Sequence, residues 1–195
     1  VYVAEHANNR IQKWLPGATE GTTVAGGNGG GSNSNQLNSP SGVAVGASGN
    51  IYIADLGNHR IQKWTPGATV GTTVAGGNGA GSDANQLNSP YGVAVDDSEN
   101  IYAADYYNDR IQKWVPGATE GVTVAGGNGR GGNANQLRVP TGVVIDASGN
   151  VYVADFANNR IQKWVSGSTE GTTVAGGNGG GSNSNQLNSP TRVAL

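Results

Sequence analysis

Four acidic residues recur at fixed spacing, Glu5, Asp55, Asp105 and Asp155, and each is followed five positions later by an arginine, Arg10, Arg60, Arg110 and Arg160. Four carboxylates gathered in a ring would offer oxygen ligands to a hard cation such as calcium. The same spacing suits a plainer use, in which each acid caps its own hairpin and pairs with its own arginine. A residue present in every copy of a repeat usually serves that copy, so the structural use is favoured and no metal site is expected. Acid–base and nucleophilic chemistry is poorly supplied. The only histidines, His6 and His59, stand at non-equivalent positions and cannot make a three-histidine zinc site. No Ser-His-Asp set and no Gly-x-Ser-x-Gly elbow is apparent. The Gly-rich stretches that begin at Gly26 and recur further on lead into no helix and end in no Lys-Ser or Lys-Thr, so they are not phosphate cradles. Asp96 and Asp146 open Asp-rich turns that lack the twelve-residue calcium pattern and read as ordinary β-turns. Neither a catalytic centre nor a cofactor is expected.

The elements that hold these residues come from a repeat. Arg-Ile-Gln-Lys-Trp occurs at 10–14, 60–64, 110–114 and 160–164, and Val-Ala-Gly-Gly-Asn-Gly at 24–29, 74–79, 124–129 and 174–179. Within the second copy, Gly42–Val45, Asn50–Asp55, His59–Trp64 and Thr72–Ala75 are short β-rich runs separated by turn residues. Gly or Pro interrupts every run before a helix could form. Ile51 and Ile53 point to one face and Tyr52 and Ala54 to the other, so both faces are apolar and each sheet needs a neighbour on both sides. Trp14, Trp64, Trp114 and Trp164 would bury a large surface at equivalent interfaces. Four short antiparallel strands in a unit of 50 residues describe one blade of a β-propeller. The expectation is therefore an all-β, single array over 1–195. Its units run approximately 1–40, 41–90, 91–140 and 141–190, with 191–195 as a closing strand.

Each unit resembles an NHL repeat, with the match carried in the third copy by Pro90, Gly92–Asp96, Asn100, Tyr102, Asp105, Asn108 and Arg110-Ile111. The resemblance covers essentially the whole chain. It implies a propeller, usually of six blades, that usually binds proteins, peptides, glycans or RNA through an open face. Some propellers of this type are zinc lyases, and this chain lacks the histidines that their site requires.

Composition narrows the partners. The 195 residues carry a net charge of −2, so the chain as a whole has no electrostatic footprint for nucleic acid or an anionic membrane. No apolar run is long enough to span a bilayer. With no Cys there is no disulfide framework, and with no Met the chain is expected to be processed, excised or engineered. The lack of Cys, the four lysines and the missing start favour a secreted or cell-surface setting over the cytoplasm. Thr191–Leu195 matches the first strand of a blade and is expected to pair beside Val1–Ala4, either within the chain or by strand exchange between chains.

The copies differ chiefly at His6, Leu56, Tyr106-Tyr107 and Phe156 in the turn after the second strand, and at Ser41, Tyr91, Thr141 and Thr191 after the proline. Both sets belong to one end of the sheets. Exposed aromatics there suit recognition of a protein, a peptide or a glycan, and drift in tolerant turns is the competing explanation. The expected function is a non-enzymatic binding module. The alternative is a structural or designed self-assembling scaffold.

Overall fold

The computed structural model describes residues 1–195 as fifteen short strands and three 3-10 turns, with no α-helix. No helix is long and apolar enough to cross a membrane. Strands β1 (Tyr2–Glu5), β2 (Arg10–Lys13) and β3 (Thr22–Gly26) form a three-stranded sheet. Three four-stranded sheets follow. The first is β4 (Pro40–Val45), β5 (Ile51–Asp55), β6 (Arg60–Trp64) and β7 (Thr72–Gly76). The next is β8 (Pro90–Val95), β9 (Ile101–Asp105), β10 (Arg110–Trp114) and β11 (Val122–Gly126). The last is β12 (Pro140–Ile145), β13 (Val151–Asp155), β14 (Arg160–Trp164) and β15 (Thr172–Gly176). Within every sheet the strands lie in chain order, and all pairs are antiparallel.

The hairpin between second and third strands is tight because it ends on a left-handed residue. Asn9, His59, Asp109 and Asn159 have φ between 50° and 54°, a region that Asn, Asp and His tolerate better than most side chains. The same side chains tie each sheet to the chain that leads on from it. Asn9 Oδ1 accepts the Ser39 N–H at 2.8 Å, His59 Nδ1 that of Ser89 at 3.0 Å, Asp109 Oδ1 that of Val139 at 2.8 Å, and Asn159 Oδ1 that of Ser189 at 2.9 Å.

The core lies between sheets, and the two-residue period of the strands decides which residue enters which interface. In β5 every residue is buried. Ile51 and Ile53 pack with Ile11, Ala25 and Leu37 of the preceding sheet, whereas Tyr52 and Ala54 pack with Val93, Ile101 and Ala103 of the following one. The tryptophan of each later sheet closes the interface with the sheet before it. Trp64, Trp114 and Trp164 are each 1% exposed, a burial worth about 4–6 kcal/mol per ring as an upper figure. Trp14 has no preceding sheet to cover it; it stays half-buried and donates its indole N–H to Gln12 Oε1 at 3.2 Å.

The first strands β4, β8 and β12 approach one another so closely that side chains are excluded. A Cβ on Gly42, Gly92 or Gly142 would stand 2.8, 2.6 or 2.9 Å from the carbonyl oxygen of Tyr91, Thr141 or Thr191. These strands line a cavity of about 410 Å³ with Val3, Val43, Val93, Val143 and Val193 among its walls. Thr191–Leu195 continues past β12 without forming a strand. It makes no backbone hydrogen bond to Val1–Ala4, so the sheets do not close into a ring within the chain, and the edge of β1 is free.

Candidate functional site

The repeated acid and arginine face each other directly across the hairpin, with Asp55 opposite Arg60, Asp105 opposite Arg110 and Asp155 opposite Arg160. Asp55 Oδ2 accepts from Arg60 Nε at 2.7 Å and from Asn58 Nδ2 at 2.8 Å, while Oδ1 accepts the Asn38 N–H at 2.7 Å. The guanidinium then donates to the carbonyls of Ser32, Asn33 and Gln36. Sheets three and four repeat this set around Asp105 and Asp155. All three carboxylates are fully buried. Burial pushes their carboxyl pKa up, against the lowering effect of the asparagine side chain, the linker amide and the arginine.

The acid does not cap its hairpin in the expected way. The 3-10 turns that follow Asp55, Asp105 and Asp155 have no side-chain cap bond, because the carboxylate is turned toward the linker entering its own sheet. The Gly-rich stretch is thus held rigidly by a buried ion pair. In the first sheet Glu5 and Arg10 pair at 2.9 Å with both side chains partly exposed, and Asn8 also bonds the carboxylate. Hydrogen bonds from Asn8 and Arg10 lower the Glu5 pKa. Each buried acid is used by its arginine and by the linker that enters its sheet, and nowhere do three His, Asp or Glu side chains converge as a metal site would require.

At the opposite end of the sheets, the turn between first and second strands carries a second carboxylate. Asp96 Oδ2 accepts from Asn100 Nδ2 at 2.8 Å and the Tyr102 hydroxyl at 3.1 Å, and Asp146 does the same with Asn150 and Tyr152. The second copy has Gly46 at that place. Its Asn50 and Tyr52 are served instead by Glu99 of the next sheet, at 2.9 Å each, together with Ser48 Oγ at 2.5 Å and Lys63 Nζ at 3.0 Å. These four donors hold the Glu99 carboxyl down to about 2. Glu99 adopts φ +58° where the other copies have Gly49 and Gly149 at φ +78°. Sequence reasoning missed this bridge. Its signal was a pair of departures from the repeat, one carboxylate lost at Gly46 and one gained at Glu99.

The variable positions meet at the end that also holds the buried ion pairs, because Pro90 pairs with Asp105 across β8 and β9. Tyr91 and Tyr106 stack with ring centroids 5.8 Å apart, and Tyr107 meets Tyr106 edge-on at 4.8 Å. Tyr107 is 57% exposed. The guanidinium of Arg192 lies 5.7 Å from the centre of the Tyr91 ring and donates to the Ser41 carbonyl at 2.6 Å. Three of the candidate residues therefore form one aromatic surface. His6 is exposed, Leu56 and Phe156 are half-buried, and no ring contact joins His6 or Phe156 to the tyrosines.

With this geometry, comparison with known proteins defines the class. The NHL repeat family model matches residues 37–64, 87–114 and 137–164, each stretch running from the buried linker leucine to the buried tryptophan. Three successive stretches of the chain thus match the NHL repeat, one for each four-stranded sheet. No curated protein sequence matches it. Among solved structures, a structural-genomics protein of unknown function from Bacteroides thetaiotaomicron is similar with TM-score 0.69 and 17% identity, covering 94% of this chain and 48% of that one. A chain of a nidogen/laminin complex is similar with TM-score 0.65 and 20% identity, covering 86% of this chain and 59% of that one. The chain spans about half to three fifths of the length of these structures, and the likeness is one of fold.

Proposed function

We propose that the chain is a non-enzymatic binding module, a propeller of four repeat blades whose loop end takes a protein, peptide or glycan ligand. The observation that carries this reading is the Tyr91–Tyr106–Tyr107 surface. A short turn needs no aromatic for its geometry, yet here two adjacent tyrosines stand on a rigid scaffold with a third stacked beneath them. Such rings offer large contact area at small entropic cost, which suits a peptide side chain or the apolar face of a sugar. The structural neighbour from a nidogen/laminin complex is in keeping with a protein ligand. For catalysis the supply of groups is thin: His59 already uses Nδ1 to accept the Ser89 amide, and the repeated acids are spent on their arginines.

The test begins with peptide and glycan arrays, followed by affinity measurement on any hit at equal folded fraction. Each ring contributes about 1–3 kcal/mol in such contacts, so Tyr106→Ala with Tyr107→Ala should weaken binding by well over tenfold. Leu56→Ala, the matching change in the second copy, should have far less effect. Equal affinities for the two variants would refute the aromatic surface. The rival reading is a self-assembling scaffold, and arrays that yield no saturable ligand would favour it.

A further inference from the structure

Several departures of the third copy from the repeat are joined by hydrogen bonds at one end of the sheets. Tyr106 and Tyr107 occupy the turn after β9, and Asp109 closes that turn where the other copies have Asn9, His59 and Asn159. Asp109 Oδ2 accepts from Arg130 Nε at 2.9 Å, and its Oδ1 accepts the Val139 N–H at 2.8 Å. Arg130 stands where the other copies have Gly30, Ala80 and Gly180, and Arg138-Val139 where they have Asn-Ser. The Arg138 N–H donates to Asp155 Oδ1 at 2.7 Å, and its carbonyl accepts the Ala157 N–H at 3.1 Å. Arg138 therefore stands on the linker between the tyrosine turn of β9 and the turn that follows β13.

Backbone strain accompanies this pair of residues. Val139 has φ +59°, in the left-handed region, where Ser39, Ser89 and Ser189 have φ between 51° and 55°. A β-branched side chain fits that region poorly, and strain of this kind gathers at functional sites. Beside Val139, the Arg138 side chain is exposed and has no carboxylate partner. The neighbouring charges are placed otherwise. Arg130 is paired with Asp109, and Arg192 lies over the Tyr91 ring. Asp83 belongs to the linker entering the tyrosines' own sheet, where the Arg110 guanidinium holds its carbonyl. The tyrosine surface thus carries an unpaired cation on the side of the fourth sheet.

We propose that this surface takes an acidic peptide: an apolar or aromatic residue of the peptide packs on Tyr106 and Tyr107, and a carboxylate close by in its sequence pairs with the Arg138 guanidinium. This rests on the binding function proposed above and adds the ligand's charge and the residue that reads it. Arginine and tyrosine are enriched among the side chains that carry binding energy at interfaces, and a guanidinium offers a carboxylate two parallel N–H donors. The rings and the guanidinium stand on separate segments. An extended peptide meets that separation with side chains two residues apart, about 7 Å along one face, whereas a uronic acid carries its carboxylate on the stacking ring itself.

The probes are short peptides with Phe, Trp or Pro two positions before Asp, each matched by a version with Asn for Asp, and polygalacturonate as an anionic glycan. The intact chain should bind Asp peptides about fivefold more tightly than their Asn partners, with the difference shrinking as salt is added. Arg138→Asn with Val139→Ser restores the sequence of the other copies and relieves the strain at position 139. That variant should melt no lower than the parent and lose the preference for Asp. Tyr106→Ala with Tyr107→Ala should weaken Asp and Asn peptides alike. Equal binding of the two peptide sets, with the tyrosines still required, would overturn the assignment of Arg138 and leave the binding surface standing. A preference that survives Arg138→Asn with Val139→Ser would overturn it as well. Polygalacturonate bound with no peptide bound would overturn the choice of a peptide, and an intact chain that binds none of these probes would overturn the acidic ligand and count against the binding function itself.

Discussion

Replacing Glu99 by the glycine of the other copies should destabilise the protein, although it relieves backbone strain. Glu99 collects hydrogen bonds from Ser48, Asn50, Tyr52 and Lys63, all on the preceding sheet. Its side chain is 21% exposed and that of Lys63 26%, so the ion pair contributes less than about 1 kcal/mol and each remaining bond about 1 kcal/mol. The loss is about 3–4 kcal/mol. Against it stands the release of a non-glycine residue from φ +58°, about 1 kcal/mol. The net cost is about 2–3 kcal/mol. The cure should lie in the second copy. Gly46→Asp restores the carboxylate that Asp96 and Asp146 supply in their own turns, and with Glu99 gone there is room for it. With Glu99 present, a Cβ on Gly46 would already sit 3.4 Å from Glu99 Oε1, and two carboxylates would compete for the same donors. Gly46→Asp should therefore be unfavourable in the intact protein and favourable beside Glu99→Gly. The coupling in a urea-melt double-mutant cycle should be about 1.5 kcal/mol or more. Additivity within about 0.5 kcal/mol would refute the idea that the two residues serve one site.

Two further outcomes follow from the same contacts. The Glu99 carboxyl is held at about 2 by its four donors, well below the usual glutamate value, so its contribution is present above about pH 4.5 and is lost as pH falls toward 2; Glu99→Gln should flatten the acid side of the melting-temperature profile, and an unchanged profile would contradict the assignment. Asp105→Ala strands the buried Arg110 guanidinium and the linker carbonyls it holds, at a cost of about 3 kcal/mol, whereas Glu5→Ala, in a pair open to solvent, should shift the urea midpoint much less; equal shifts would show that burial does not set the strength of this pair.

Much of this architecture is legible in the sequence because each copy repeats the same physical instructions. The alternation in Asn50–Asp55 marked a strand buried on both faces, and Ile53 and Tyr52 do enter opposite joints. The Arg-Ile-Gln-Lys-Trp run marked a strand that ends on an anchoring ring, and Trp64, Trp114 and Trp164 are that anchor. The shared end of Tyr91 and Tyr106 followed from strand direction alone. What stayed hidden depends on distances across units. Nothing local in Asp55 shows that its carboxylate turns to the Asn38 amide 17 residues earlier. Nothing in a Ser-Glu-Asn turn shows that Glu99 reaches Lys63 on another sheet.

The buried arginines have a consequence for how such a chain changes length. Each guanidinium anchors carbonyls that lie 24 to 28 residues before it, across the junction of two copies. Removing or adding one whole 50-residue period of the sequence leaves every new junction with an arginine, an acid and a linker already cut to fit. Copy number can therefore change by whole periods with these contacts intact, while a length change of part of a period between linker and arginine would leave a guanidinium without its carbonyls.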